Sequence, residues 1–195
     1  MNDGWAVVTG ASSGIGLAFA REFSRRGYPV LAIARRRERL EDLAKEVVQR
    51  GGPIEPLVAD LTSQVELESV IRRVSQLGQI EFLVNNAGVA TASDFLEASL
   101  PREIAEIRLN VEAVVTLTHG VLRDMVRSRR GAVINLASVV GFQPFPHFAV
   151  YAATKAFVLW FTEALAEELR GTGMRSKRRL TYLLTTRGCW GSSPA

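Results

Sequence analysis

The chain has 195 residues, of which 47% are hydrophobic and 23% are charged, a composition typical of one globular domain with a sizeable core. Its net charge of +4 comes from the end of the sequence, because residues 171–195 carry five basic and no acidic residues and so leave −1 for residues 1–170. A nucleic-acid-binding domain would spread basic residues over its fold, so we expect no nucleic-acid partner and a solvated basic tail.

Short apolar segments alternate with longer amphipathic segments, and no internal repeat is present. The apolar segments are hydrophobic on both faces, as in strands of a parallel sheet covered by helices. This order predicts a doubly wound, Rossmann-like α/β fold of three layers, with ligands at the carboxyl ends of the strands. The predicted strands are 5–10, 28–34, 54–60, 80–88 and 131–138; the predicted helices are 15–26, 36–50, 63–77, 101–127 (capped by Ser99) and 150–170.

The segment TGASSGIG, residues 9–16, follows the first strand and opens the first helix. Glycines in such a turn let the backbone approach a pyrophosphate, and the helix N-terminus offers free N–H groups and a positive dipole end. Glycines also occur in plain turns, but the strand–turn–helix context predicts dinucleotide binding. The residues assigned to this loop are Gly10, Ser12, Ser13, Gly14, Ile15 and Gly16.

Five motifs, in this order and spacing, resemble those of the short-chain dehydrogenase/reductase family. The resemblance covers residues 4–174, so we expect an oxidoreductase domain over 1–174 and an atypical basic tail over 175–195. It implies reversible hydride transfer between a nicotinamide cofactor and a secondary alcohol or ketone. The motifs are TGASSGIG with its G-x-x-x-G-x-G spacing, NNAG at 85–88, Asn110 in RLNV, Ser138 in INLAS, and YAATK at 151–155.

Arginines rather than an acid follow the second strand. A carboxylate there would hold the ribose 2′-hydroxyl and repel a 2′-phosphate, whereas an arginine binds the phosphate with charge-assisted hydrogen bonds. The sequence therefore predicts NADP(H), with Arg35 as the first candidate and Arg36 as the second. The alternative is that these arginines are only the solvated start of a helix.

The resemblance assigns two further segments to the cofactor. Asp60 and Leu61 resemble the family's adenine-binding pair, although Asp60 or Thr62 could instead cap the next helix. Asn85, the first residue of the NNAG motif, could instead have a purely structural role. The segment that resembles the lining of the adenine ribose site is Asn86, Ala87 and Gly88.

Tyr151 and Lys155 lie one turn apart on one face of a predicted helix. A free phenol has a pKa of about 10, and a nearby ammonium lowers it. Tyr151 could then accept a proton in alcohol oxidation or donate one in ketone reduction. By itself such a pair would be an amphipathic surface pair, but its place after the glycine loop and the fifth strand favours catalysis. The resemblance adds both residues to the nicotinamide ribose site.

Ser138 and Asn110 complete the predicted catalytic set. Ser138 ends the fifth strand, where its hydroxyl can donate to a substrate oxygen as charge develops. Asn110 lies within a predicted helix, where asparagine is unfavourable. By resemblance it holds a water that relays protons to Lys155; the alternative is a surface-exposed asparagine. No cluster of histidine, cysteine and aspartate has metal-ligand spacing, so no metal is expected.

Several features bear on partners and location. Residues 142–148, rich in phenylalanine and proline, either line an apolar substrate pocket or pack against the sheet edge or another subunit. His119 and His147 are expected to be non-catalytic.

By resemblance, helices 101–127 and 150–170 form dimer contacts, which predicts a homodimer or homotetramer. No apolar run approaches ~20 residues, no signal peptide is seen, and Cys189 has no internal partner, so a cytoplasmic protein without membrane contact is expected.

Beyond residue 174 the sequence departs from the family pattern, which calls for a sixth strand, a Pro-Gly turn, a substrate-covering segment and a seventh strand. LTYLLTT, residues 180–186, is β-prone and can take the sixth-strand position. We expect incomplete C-terminal strands and hypothesise a changed reading frame or altered exon end from about Ser176. The alternatives to an active enzyme are a catalytically weak, dinucleotide-binding or dimerising remnant and a nucleic-acid-binding protein that uses the tail.

Overall fold

The computed structural model describes residues 2–170, residue 172 and residues 181–182. These residues build a six-stranded parallel sheet in the order β3-β2-β1-β4-β5-β6, which confirms the doubly wound α/β prediction. The sheet reverses its direction of winding between β1 and β4, and a crevice forms there at the carboxyl ends of the strands. The strands are β1 (Trp5–Thr9), β2 (Val30–Ala34), β3 (Ile54–Val58), β4 (Ile80–Asn85), β5 (Ala132–Leu136) and β6 (Thr181–Tyr182).

The helices follow the predicted order, with one difference in the fourth. The segment predicted as one helix over 101–127 is two α-helices joined by a π-helical turn at Arg108–Glu112. A π turn places one extra residue in the helix and changes which side chains face inward on either side of it. The helices are α1 (Gly14–Arg25), α2 (Arg37–Gln49), α3 (Gln64–Ser75), α4 (Leu100–Ile107), α5 (Ala113–Ser128) and α6 (Ala149–Glu168), and a 3₁₀ turn spans Val139–Phe142.

Two hydrophobic layers cover the two faces of the sheet, which explains why the strands are apolar on both sides. Alternate residues of β2 enter different layers: Leu31 and Ile33 pack with α3 and α5, whereas Val30 and Ala32 pack with α1 and α2. All five residues of β2 are buried. The central strands of the sheet are therefore covered by helices on both faces, and they form a rigid base for the crevice.

Helix capping differs in part from the prediction. The cap of α3 is Ser63, whose hydroxyl accepts from the Glu66 N–H at 3.4 Å, so the alternative that Asp60 or Thr62 caps this helix is wrong. Asp60 Oδ1 instead accepts from the Thr62 N–H and hydroxyl at 3.0 and 2.8 Å, a local turn. Ser99 does occupy the cap position of α4, although its side chain makes no capping bond.

Part of the expected sixth strand is present. Thr181 and Tyr182 pair in parallel with Asn135 and Leu136 of β5. The rest of the basic tail lies outside the described residues, so the division of the chain at residue 174, the incomplete strands and the altered reading frame all stay predictions.

A chain of buried amides links the sheet to the helices. Asn85 Nδ2 donates to Thr118 Oγ1 at 3.1 Å and to Asn135 Oδ1 at 2.8 Å. Asn135 Nδ2 in turn donates to Thr162 Oγ1 at 2.9 Å. These contacts connect β4 and β5 to α5 and α6, and they give Asn85 a position in the core rather than in the crevice.

Removing Asn135 should therefore destabilise the fold. Asn135→Ala deprives buried Asn85 of an acceptor and Thr162 of a donor, so we expect a loss of about 1–3 kcal/mol in the free energy of unfolding. The measurement is the urea midpoint at unchanged m-value. Asn2→Ala is the matched control, because exposed Asn2 makes one side-chain bond to Arg26 O. Equal midpoint shifts in the two variants would contradict the structural role.

Candidate active site

A cleft of about 520 Å³ lies at the carboxyl ends of the strands. It contains both the residues predicted to hold a dinucleotide and those predicted to react. Three predicted residues are absent from its lining: Gly14, Gly16 and Asn110. The predicted residues that line it are Gly10, Ser12, Ser13, Ile15, Arg35, Arg36, Asp60, Leu61, Asn86, Ala87, Gly88, Ser138, Tyr151 and Lys155.

The glycine loop lies close to the segment that follows β4. Gly10 has a φ of +66°, and a Cβ there would be 2.6 Å from Asn86 Nδ2, so only glycine fits. Gly14 has a φ of +56° and meets nothing within 4 Å, so open space lies before the start of α1. Ser13 holds the N-cap position of α1, but its side chain accepts no capping hydrogen bond from the helix. The first N–H groups of α1 are thus open to an anion in this space.

Two arginines lie at the end of β2 in different surroundings. The Arg36 guanidinium donates to Ser12 Oγ at 2.9 Å and to Ser13 Oγ at 2.6 Å. Arg35 faces Asp60 instead, with 3.8 Å between Nη1 and Oδ2. Arg36 and the two hydroxyls of the glycine loop form a group of donors suited to a phosphate.

Sequence reasoning missed Thr9 as a residue that shapes the cleft. Its hydroxyl accepts from the N–H groups of Asn86 and Ala87, both at 3.0 Å, and donates to Val84 O at 3.2 Å. Asn86 Nδ2 donates back to Thr9 O at 2.9 Å. Thr9 reads as an ordinary buried strand residue, and its place directly before the glycine loop was the only available signal. The other cleft residues that were missed include Val89, Ala90 and Leu109.

Asn110 is buried in the π turn, which excludes the surface-exposed alternative. Its Oδ1 accepts from the Val89 N–H at 3.1 Å, and its Nδ2 donates to Val89 O at 2.9 Å and to Thr154 Oγ1 at 3.1 Å. It lies directly behind Gly88, where a Cβ would be 3.2 Å from Asn110 Oδ1 and 3.5 Å from Lys155 Nζ. Asn110 thus supports the wall of the cleft; its proposed water relay stays a prediction.

Lys155 and Tyr151 both emerge from the first turns of α6. Lys155 Nζ donates to Leu136 O at 2.8 Å and lies 5.8 Å from the centre of the Tyr151 ring. Burial lowers the pKa of the Lys155 ammonium to about 8, against the opposing effect of the Glu106 carboxylate. At neutral pH most Lys155 side chains therefore keep their proton.

The predicted lowering of the Tyr151 pKa is wrong for the free protein. Burial raises the pKa of the Tyr151 phenol, and Glu106 adds to the rise; the Ser138 side chain acts in the opposite direction. The reason is that desolvation disfavours the phenolate more than the neighbouring groups favour it. Tyr151 in the free protein is thus a protonated donor.

Residues 142–148 border a second space, an apolar groove of about 630 Å³ along α6. It shares no lining residue with the cleft, and only Phe148 approaches the site, with its ring 6.1 Å from that of Tyr151. His147 is exposed and lies 2.8 Å from Asp94, and His119 is exposed on α5. The groove lining comprises Gly141, Phe142, Gln143, Pro144, Phe145, Pro146, Ala149, Ala152, Ala153 and Ala156.

The part of the chain that the structure describes has neither a metal-binding cluster nor a helix suited to cross a membrane. No group of three or more histidine, cysteine, aspartate or glutamate side chains there is arranged to hold a metal ion. No helix in that part of the chain has the length and apolar character to cross a membrane.

Comparison with known proteins places the chain among the dehydrogenases. Its sequence is 38% identical to a short chain dehydrogenase of Pseudocercospora fijiensis over 174 residues, 88% of this chain and 56% of that one. It is also 38% identical to sulfoacetaldehyde reductase 2 of Chromohalobacter salexigens, over 87% of this chain and 68% of that one. A short-chain dehydrogenase from Sphingobium yanoikuyae, solved in complex with NADPH, superposes with a TM-score of 0.84 at 37% identity, over 93% of this chain and 69% of that one.

The chain is shorter than these proteins and spans just over half of the Pseudocercospora relative. The match nevertheless covers all the elements that build the cleft, and the family model for short chain dehydrogenases matches residues 4–186. The chain belongs to the short chain dehydrogenase family.

Proposed function

We propose that the protein is an NADP(H)-dependent oxidoreductase that transfers hydride reversibly between the nicotinamide and a secondary alcohol or ketone. The observation that carries this proposal is the shared cleft. Ser138, Tyr151 and Lys155 line the same space as the glycine loop and Arg36. A dinucleotide laid along it would bring its reactive end to the residues that exchange protons.

The described residues fit this cofactor. Gly10, Ser13 and Ile15 line the cleft beside the α1 N-terminus, where the pyrophosphate would bind. For the 2′-phosphate we place Arg36 before Arg35, because Arg36 already contacts Ser12 and Ser13, whereas Arg35 faces the Asp60 carboxylate. The NADPH complex of the Sphingobium relative supports NADP(H) as the cofactor.

The proposed roles follow from position and charge. When bound, the nicotinamide donates or accepts the hydride. Tyr151 gives the proton to the substrate oxygen in the reductive direction, since its phenol is protonated in the free protein. Ser138 donates a second hydrogen bond to that oxygen. Lys155, buried and largely protonated at neutral pH, favours the phenolate that forms as the proton leaves.

The proposed substrate is a carbonyl compound in the reductive direction and an alcohol in the oxidative direction. The Chromohalobacter relative is named for the reduction of sulfoacetaldehyde. A substrate panel for this chain should therefore hold aldehydes beside ketones and secondary alcohols.

Arg36 should set the preference for NADPH. Arg36→Ala removes two or more charge-assisted bonds, so we expect the Kd for NADPH to rise about 10- to 100-fold and the Kd for NADH to change little. Nicotinamide fluorescence on titration measures both constants. Arg37→Ala is the control, because exposed Arg37 pairs with Glu41 on its own helix and does not line the cleft. Equal losses for NADPH and NADH would contradict the phosphate assignment, and failure of the wild-type protein to bind either cofactor would overturn the proposed function.

Tyr151 should be needed for the reaction rather than for the fold. Tyr151→Phe removes the proton donor, so kcat should fall about 10²- to 10⁴-fold in carbonyl reduction. NADPH oxidation over the substrate panel gives kcat, and the Kd for NADPH should change far less. Tyr28→Phe is the control, because the Tyr28 ring packs with Phe23 and Phe82 away from the cleft. NADPH binding with no turnover of any substrate by the wild-type chain would instead support the catalytically weak remnant.

We also propose that α4–α5 and α6 form the contact of a homodimer. Apolar side chains stay exposed on these helices, among them Ile104, Ile107 and Phe157, and Trp160 is 67% exposed. An exposed apolar surface of this kind is typical of a protein interface. Residues 142–148 adjoin α6 and would share in this contact.

The dimer is tested by mass. Light scattering after gel filtration should show twice the chain mass of 21.4 kDa for the wild-type protein. Trp160→Glu places a charge in the contact and should give monomers. Val65→Glu, at a 73% exposed position on α3, is the control and should leave the dimer intact. A monomeric wild-type protein would refute the proposal.

A further inference from the structure

Glu106 is a fully buried carboxylic acid that none of the roles above uses. Its side chain on α4 has no exposed surface. Burial of a carboxylate is costly unless hydrogen bonds or an opposite charge compensate it. Glutamate is among the residues least often buried without a partner, so this position calls for a physical explanation.

The hydrogen bonds of Glu106 point to the wall of the cleft. Its Oε2 accepts from the Thr91 N–H at 2.8 Å. Thr91 continues the backbone of Val89 and Ala90, which lines the cleft. Asn110, on the adjoining π turn, binds both the N–H and the carbonyl oxygen of Val89. Glu106 and Asn110 thus hold three backbone groups of residues 89–91 from behind.

The second oxygen of Glu106 has no hydrogen-bond partner within residues 2–170 and is buried. Lys155, across the cleft wall on α6, is 7% exposed and donates to one carbonyl oxygen. It makes no ion pair with any carboxylate of the described chain. Glu106 and Lys155 are therefore two buried titratable groups without an ion-pair partner in the described part of the chain, and their charged forms are of opposite sign.

The electrostatic effects agree with this arrangement. Burial raises the pKa of Glu106, and neighbouring Glu103 adds to the rise; Thr91 and Lys155 act in the opposite direction. Glu106 in turn raises the pKa of Lys155 and of Tyr151. The titratable groups that face Glu106 are thus Glu103 on its own helix and Lys155 and Tyr151 on α6.

We propose that Glu106 is a positioning residue for the reaction: its carboxylate holds the 89–91 backbone of the cleft wall and supplies the negative charge that keeps the buried Lys155 in its ammonium form. This inference rests on the proposed function for its meaning. Its two parts, the hydrogen bond and the charge, can be separated by mutation.

Glu106→Gln isolates the charge. The glutamine amide oxygen can still accept from the Thr91 N–H, but the negative charge is gone. Without it the Lys155 ammonium is less favoured and the Tyr151 phenolate is more favoured, so both pKa values should move downward. Ketone reduction, which needs the protonated forms, should then be lost at lower pH than in the wild-type enzyme.

The first experiment follows the side-chain ¹³Cε signals of lysine against pH in the free protein. The sequence has only Lys45, Lys155 and Lys177, so the spectrum is simple, and Lys155→Arg assigns the signal. In the wild-type protein we expect Lys155 to titrate near pH 8. In Glu106→Gln the titration should shift to lower pH. An unchanged or upward shift would overturn the proposal.

Two further variants complete the test. Glu103→Gln removes a buried charge one turn earlier on α4 and should leave the Lys155 titration in place. Glu106→Asp keeps the charge on a shorter side chain that loses the Thr91 bond, so Lys155 should titrate as in the wild-type protein while the KM for NADPH rises. If Glu106→Gln and Glu106→Asp shifted the Lys155 titration equally, the proposal that Glu106 has one role through its charge and another through its hydrogen bond would be refuted.

The wild-type protein provides a second test that needs no substitution. In the wild-type protein the Glu106 ¹³Cδ signal reports its own titration, and Lys155 must register that step if the two charges are coupled. Absence of the step would refute the proposal. Because these spectra need neither cofactor nor substrate, loss of NADPH binding would refute the proposed function alone and leave the coupling between Glu106 and Lys155 to be judged separately.

Discussion

The hydrogen bonds between the ends of β1 and β4 are the constraint on which the site depends. The helices that follow these neighbouring strands pack on opposite faces of the sheet, so the two connecting segments diverge and open a crevice. Thr9 and Asn86 join the segments at this point through bonds in both directions. These bonds therefore fix the distance between the glycine loop and the segment after β4 that leads to the Asn110 contact.

The π turn between α4 and α5 serves the same wall from the other side. An uninterrupted α-helix would bring inward-facing residues at intervals of three or four. Glu106 on α4 and Asn110 in the π turn have this spacing, and both contact the backbone of residues 89–91. Such turns often occur at functional sites, and here Asn110, one of the two buried side chains that hold this segment, lies in the turn itself.

The two ends of the cleft differ in how they treat charge. At the β2 end Arg35 is more than half exposed and the Arg36 group is open to solvent, which suits a phosphate that stays partly hydrated. At the α6 end Lys155 is buried, where weak solvent screening makes each charge act strongly on its neighbours. In the proposed function, exclusion of water would help at the α6 end, where a proton would move, and would not be needed at the β2 end, where a phosphate would bind.

The order of strands and helices, the parallel sheet and the positions of the glycine loop, Tyr151 and Lys155 could be predicted from the sequence. These features depend on local patterns: apolar runs on both faces, glycines at a turn, and residues one helical turn apart.

Other features follow from packing between distant parts of the chain and became visible in the fold alone. Ser63 rather than Asp60 or Thr62 caps α3, Arg36 rather than Arg35 binds the glycine loop, and the pKa of Tyr151 rises instead of falling. The TGASSGIG motif includes Thr9 but did not reveal its role, which comes from contacts with the distant segment at Asn86. Glu106 belongs to no motif, and its role comes from its contact with Thr91 across a loop. Burial and cross-chain hydrogen bonds depend on how the elements pack, and no local spacing of residues contains that information.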